Sequence, residues 1–169
     1  MGISMRLYMA PDSDLHAFTG APRTLRLWLR YPHAQPEVSL DDRWQDLDAI
    51  LGGVPSTHSK SPLSPNGANW KYPDAADRGA HALSSTVTKN LLHSVEQITR
   101  SEVETHVRRR WASRATEDGL SPDATPAQLS AEVDELLMYL SRLRESCTLA
   151  TGKGYGILMA LWEEKAMVE

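Results

Sequence analysis

The hydrophobic pattern divides the chain into a few clear elements. Ile3 to Ala10 is largely apolar, alternates loosely and stops at Pro11, which predicts a strand. Pro11-Asp12-Ser13-Asp14 supplies helix-start chemistry for a short helix to about Phe18, and Gly20-Ala21-Pro22 breaks it. Arg23 to Tyr31 fits two periods. Leu25, Leu27, Leu29 and Tyr31 alternate, whereas Leu25, Trp28 and Leu29 share one helical face. The period leaves both open, and the short spacing to the next helix leans towards helix. Ser39 to Leu51 reads as a helix capped by Ser39, with Asp41 and Asp42 at the positive end of its dipole and Leu40, Trp44, Leu47 and Leu51 on one face.

Residues 53–80 show no period. Proline, glycine and serine punctuate the segment, and an irregular stretch of this length is uncommon in a compact domain, where connections run to about 4–6 residues. Trp70 and Tyr72 argue against a solvated linker. Helical periodicity then resumes. Val87, Leu91, Val95 and Ile98 line one helix, and Val103, Val107 and Trp111 line another starting at Thr99 or Ser101. Gly119 to Asp123 reads as a turn. Thr125, Pro126 and Gln128 make the strongest helix start in the chain, a capping box with proline at the first helical position. The stripe from Leu129 to Leu143 predicts a helix to about Thr151 that stops at Gly152. Tyr155 to Trp162 reads as a buried strand. The predicted fold class is α+β: a helix-rich single domain over residues 1–162, with a small sheet that includes the N-terminal and C-terminal strands. Residues 163–169 are expected to be a tail, and part of 23–31 or 69–73 to add a third strand.

Composition narrows the function classes. The chain has 169 residues, enough for one core. Its one cysteine, Cys147, allows no internal disulfide and no cysteine-rich zinc site, which fits a reducing compartment. A net charge of −4 speaks against nucleic acid as a partner. No apolar run approaches the roughly 20 residues of a membrane span, and no secretory signal is visible. A cytoplasmic location and no membrane partner are the expectation.

Several motifs resemble a known family. Met1-Gly2 opens the first strand. Arg43, Trp44, Leu47, Leu51 and Gly53 fit an Arg-Trp-x-x-Leu-His-x-x-Leu-x-Gly helix pattern, and Pro62-Leu63-Ser64 fits a Pro-Leu-Ser in the loop that follows. With the order of the later elements, the chain resembles the YfbM-like family of bacterial proteins, a domain of unknown function. The resemblance implies an α+β fold and a bacterial, cytosolic origin, and no particular activity or cofactor. Asp48 stands where the pattern has histidine.

No catalytic constellation or metal motif is visible. Six histidines lack the spacing of a helical zinc site and read as surface residues. Asp41, Asp42, Asp46 and Asp48 read as a solvated acidic face, and Arg108-Arg109-Arg110 as a solvated basic one, with Glu104 four residues before Arg108. Gly152 to Gly156 follows a helix and precedes a strand, the reverse of a phosphate loop. Cys147 extends an apolar stripe and reads as a structural thiol. The remaining candidates surround residues 53–80. His58, Trp70, Lys71 and Tyr72, with Arg43 and Asp48 on the neighbouring helix, are the expected binding residues, no cofactor being required. The leading expectation is a non-catalytic domain that binds a protein partner through 53–80, as a monomer or homodimer. The rival is a small enzyme or ligand-binding domain with a pocket between that loop and the Trp44 helix.

Overall fold

The computed structural model describes residues 2–31, 38–52, 63–118 and 125–163, and the side chains of all of these except 115–118. The elements, in order, are β1 (Ile3–Ala10), α1 (Asp12–Ala17), α2 (Pro22–Arg30), β2 (Val38–Asp41), α3 (Trp44–Gly52), β3 (Trp70–Tyr72), β4 (Ala80–Leu83), α4 (Ser85–Glu96), α5 (Arg100–Asp118), α6 (Pro126–Lys153) and β5 (Gly156–Glu163). Short 3-10 turns occupy Phe18–Gly20 and Pro65–Gly67. Among the described residues the strands form one antiparallel sheet in the order β2-β1-β5-β4-β3. The expected pairing of the chain ends is its centre, where β1 and β5 run antiparallel from Ile3↔Glu163 to Ala10↔Gly156.

Alternation along β1 and β5 sends side chains to two different cores. Met5, Leu7, Met9, Ile157, Met159 and Leu161 face the layer built from α3, α4, α5 and α6. Tyr8, Ala10, Leu158 and Ala160 face a smaller cluster closed by Leu15 and Phe18 after β1 and by Leu25 and Leu29 of α2. The sheet is therefore covered on both faces, which explains why β4 and β5 read as near-continuous apolar runs.

Local chemistry sets the element ends. Thr125 and Gln128 form the capping box of α6, and Gly154 ends that helix in the left-handed conformation at φ 69°. Ser84 caps α4, and the Asp12 carboxylate reinforces it by accepting from Ser85 N at 2.8 Å and Ser85 Oγ at 2.7 Å. A Cβ at Gly156 would lie 2.2 Å from the Leu83 carbonyl, so only glycine lets β5 and β4 meet at this corner.

Three expectations need correction. The helix expected from Ser39 starts at Trp44, because Val38–Asp41 is strand β2. Ser39 Oγ donates to Asp41 Oδ1 at 2.6 Å and accepts from Asp41 N at 3.1 Å, a local bond that competes with a helical start. Asp41 itself sits at φ 47°, and Leu40 is fully buried in the core. Second, the stretch 53–80 is not wholly irregular. It contains β3 and the first residue of β4, strands too short to show a period. Third, the last strand runs through Glu163, one residue into the expected tail. Residues 23–31 are helix α2 but for the last, and 69–73 supplies β3. The expected turn at 119–123 and residues 164–169 lie outside the described residues.

Candidate functional site

Where α3, α5 and α6 meet, each contributes charged side chains at helical spacing. Arg43, just before α3, and Asp46 are three apart; His106 and Arg110 on α5 are four apart; Glu132 and Glu135 on α6 are three apart. Asp46 is the hub. Its Oδ1 accepts from His106 Nε2 at 2.9 Å, and its Oδ2 meets Arg110 at 2.5 Å and Arg43 at 3.4 Å. Arg43 also grips Glu135 at 2.8 Å and Glu132 at 3.4 Å. Arg110 pairs with Glu132, which also accepts from the Trp111 indole. Trp44 closes the arrangement by donating to the Ile3 carbonyl at 2.9 Å.

This lattice overturns the reading of Asp46 as part of a solvated acidic face. Its side chain is 12% exposed, as is that of Glu132, and the Arg110 and His106 side chains are each 17% exposed. Burial pushes the Asp46 carboxyl up. The His106 hydrogen bond and the Arg110 guanidinium outweigh it, so the carboxyl titrates below the usual range. Burial likewise pulls Arg43 down, and the bond and charge of Glu135 push it back above its ordinary value. An ionised Asp46 also settles the His106 tautomer, because Nε2 must carry the proton it shares with Oδ1.

Two clefts flank the lattice. One of about 320 Å³ is lined by Gly2, Asp42, Arg43, Asp46, Arg110 and Arg114. Another of about 200 Å³ lies between α3 and α5, lined by Ile50, Ser101, Glu102, Thr105, His106 and Arg109. Both are at or below the small end of ligand pockets, roughly 300–1,000 Å³. Among the described residues no group of three or more His, Cys, Asp or Glu could hold a metal ion.

The residues expected at the site are scattered. His58 lies outside the described residues. Arg43 is locked into the lattice, and half-buried Asp48 stands two residues past Asp46, about 200° around α3. Tyr72 is on the other face of the sheet. It is buried, its hydroxyl donates to the Leu15 carbonyl, and burial pushes it up to about 12. Trp70 is half-buried on the edge strand β3, with its ring 6.2 Å from that of His16, and Lys71 between them is exposed. The described candidates therefore fall on opposite sides of the sheet.

Two histidines differ from the expected surface positions. His106 belongs to the lattice, and His81 is buried on β4, bonded to the Leu63 carbonyl at 3.0 Å. Burial drives His81 down to about 4. Sequence reasoning missed His106, Arg110, Glu132 and Glu135. The available signal was position: each borders an apolar stripe, Val103–Val107 on α5 or Val133–Leu136 on α6. Arg110 is thus no part of a solvated basic face, whereas Arg108 keeps its expected surface pair with Glu104 at 2.8 Å.

No family model matches the chain, and no curated protein matches it. Among solved structures it is similar to a protein of unknown function, YfbM from Escherichia coli, with a TM-score of 0.63 over 94% of this chain and 99% of that one. The chain has the YfbM fold. Sequence identity is 14%, so the likeness carries the architecture and none of the chemistry. It bears out the resemblance first drawn from short motifs. In the YfbM fold as this chain builds it, Trp44 pins α3 to the start of β1, and Leu47 and Leu51 enter the larger core. The motif residues are thus explained by packing. Cys147 is buried on α6, and burial pushes its thiol up to about 12, as suits a structural residue. No helix among the described residues is long and apolar enough to cross a membrane.

Proposed function

We propose that this chain is a non-catalytic protein-binding domain of the bacterial cytosol, and that its contact surface combines the outer face of α2 with the edge strand β3. The observation that carries this reading is the composition of α2. Its inner face, Leu25 and Leu29, is buried, while Leu27 is 60% and Tyr31, just beyond its end, 63% exposed. Arg23, Arg26 and Arg30 flank Leu27 on one side of the helix, and the helix holds no acidic residue. Arg26 Nε donates to the Asp74 carbonyl at 2.5 Å, two residues after β3, so the helix and the edge strand border one surface. Half-buried Trp70, whose side chain packs on the same face of the sheet as α2, continues it.

The chemistry selects an acidic partner surface with an apolar centre. In a chain of net charge −4, a helix carrying only arginine attracts such a partner by a local field. Burying Leu27 and Tyr31 would supply about 1.5–3 kcal/mol each. The lone buried cysteine and the fold shared with a bacterial protein support the cytosolic, bacterial setting.

The test is quantitative capture from the native host with wild type and a Leu27→Glu, Tyr31→Glu variant whose fold is verified by circular dichroism. The expected result is an acidic partner held by wild type, released by salt and lost from the variant. Equal capture by both proteins refutes this surface.

A further inference from the structure

The His106 cleft lies on the opposite side of the sheet from α2 and is independent of the reading above. Asp46 is buried, and its Oδ1 takes the Nε2 proton of His106 at 2.9 Å. The other ring nitrogen, Nδ1, then carries a lone pair when the ring is neutral. It has no hydrogen-bond partner among the described residues, and the ring lines the cleft of about 200 Å³ between α3 and α5. Arg109 and Ser101 line the same cleft, and Ile50 forms its apolar wall. Arg109 is exposed, and no side-chain partner holds it among the described residues. Arg110, one residue on, is ion-paired with Asp46 and Glu132.

We infer that this cleft is a binding site for a small phosphomonoester, with His106 Nδ1 sharing a proton with a phosphate oxygen and Arg109 holding a second oxygen. A phosphomonoester fits because it can present an O–H to the Nδ1 lone pair of the neutral ring and a bare oxygen to Arg109. Sulfate carries no O–H for the first of these contacts. The charged groups around the ring are Asp46 and Arg43 beside α3, Glu102, Arg109 and Arg110 on α5, and Glu132 on α6. Of these, Asp46, Arg43, Arg110 and Glu132 neutralise one another. Glu102 is held at the start of α5, accepting from Thr99 N at 2.7 Å and Thr99 Oγ1 at 3.1 Å. Arg109 is left as the cation that lines the cleft, opposite the Glu102 carboxylate turned to Thr99.

The experiment follows the His106 ring signals by NMR while inorganic phosphate or glycerol phosphate is added to the full chain. Saturable shifts at millimolar or lower concentration are expected, with affinity reduced about ten-fold or more in Arg109→Gln, and likewise in His106→Gln, where the backbone amide signals of α5 are followed instead. Arg109 is exposed, so its substitution tests the site without threatening the fold. Sulfate, which has no O–H to give Nδ1, should bind clearly more weakly than phosphate at pH about 6, where the phosphate keeps its last proton. Vesicles carrying phosphatidic acid separate a lipid headgroup from a free ligand. Four results would overturn the inference: no saturable shift of His106, unchanged affinity in Arg109→Gln, sulfate equal to phosphate, or binding confined to the vesicles.

Discussion

Replacing Asp46 by asparagine tests whether the lattice between α3, α5 and α6 is structural. The change keeps the shape of the side chain and removes its charge. Removing one partner of a buried ion pair costs about 3–5 kcal/mol, because the other charge is left without compensation. Here the cost is smaller. Arg110 retains Glu132, Arg43 retains Glu135, and the Arg110 side chain is 17% exposed, so water screens part of the loss. A loss of about 2–3 kcal/mol follows, read in urea as a fall of roughly 1–1.5 M in the midpoint at unchanged slope. The pH dependence sharpens the test. The Asp46 carboxyl titrates below its ordinary value, so the folded state binds fewer protons there than the unfolded chain. Its contribution is complete above the unfolded value of about 3.9 and disappears as pH falls through the folded one. Wild type and variant should therefore differ fully at neutral pH and converge in acid below about 4. A neutral-pH difference under about 0.5 kcal/mol, the size of an ordinary surface substitution, would falsify the claim that the lattice locks the three helices. A difference that persists unchanged into acid would contradict the charge as its cause.

Other substitutions test other joints. Gly156→Ala should cost more than about 3 kcal/mol in thermal melts, because the new Cβ meets the backbone of Leu83, which cannot withdraw without parting β4 from β5. Asp12→Ala should cost about 1–2 kcal/mol, since α4 loses two bonds at its N-terminal end. His81 gives a pH signature of the opposite origin: its folded value of about 4 lies below that of an unfolded histidine, so the unfolded chain binds the extra proton. Stability should therefore fall by about 3 kcal/mol as pH drops from about 6.5 to 4, and His81→Gln should flatten that slope in denaturation series. Tyr72→Ala should remove about 3–5 kcal/mol and Trp70→Ala clearly less, since Tyr72 is 3% exposed and Trp70 half-buried. Urea titrations of the two variants separate the core residue from the surface one.

The fold was legible wherever one period ran long enough. The capping box at Thr125, the α4 cap at Ser84 and the apolar ends of the chain all carry local signals, and each element lies close to where those signals put it. Legibility failed where an element is short or its bonding is not local. Ser39 and Asp41 are good helix starters in isolation. They became a strand end because Leu40 is more useful buried beside β1, and their side chains bond to each other instead. The charged lattice was hidden for a different reason. Glu132 lies 89 residues from Arg43, and no periodicity announces that two such residues will meet. Asp46 looked like one of four surface aspartates until α5 brought His106 and Arg110 against it.

The same contrast bears on α2, whose outer face the fold does not use. Several exposed charges on the other helices have a partner. Arg108 pairs with Glu104 at 2.8 Å, and Arg100 with Asp134 at 2.7 Å. Exposed apolar residues elsewhere are isolated: Met138 and Leu149 on α6 stand eleven positions apart, about 16 Å along the axis. Single residues of that kind are ordinary on a protein surface. Leu27 and Tyr31 differ because they are four apart, and so adjacent on one face, beside three arginines that the helix itself does not neutralise. Docking α2 onto the sheet needs only Leu25 and Leu29, with Trp28 packed alongside. Folding gains nothing from an apolar outer face, and a polar one would be better hydrated. Contact with a partner gives that face a physical use, which is why this helix outweighs the buried aromatic residue of β3 as evidence for a binding surface.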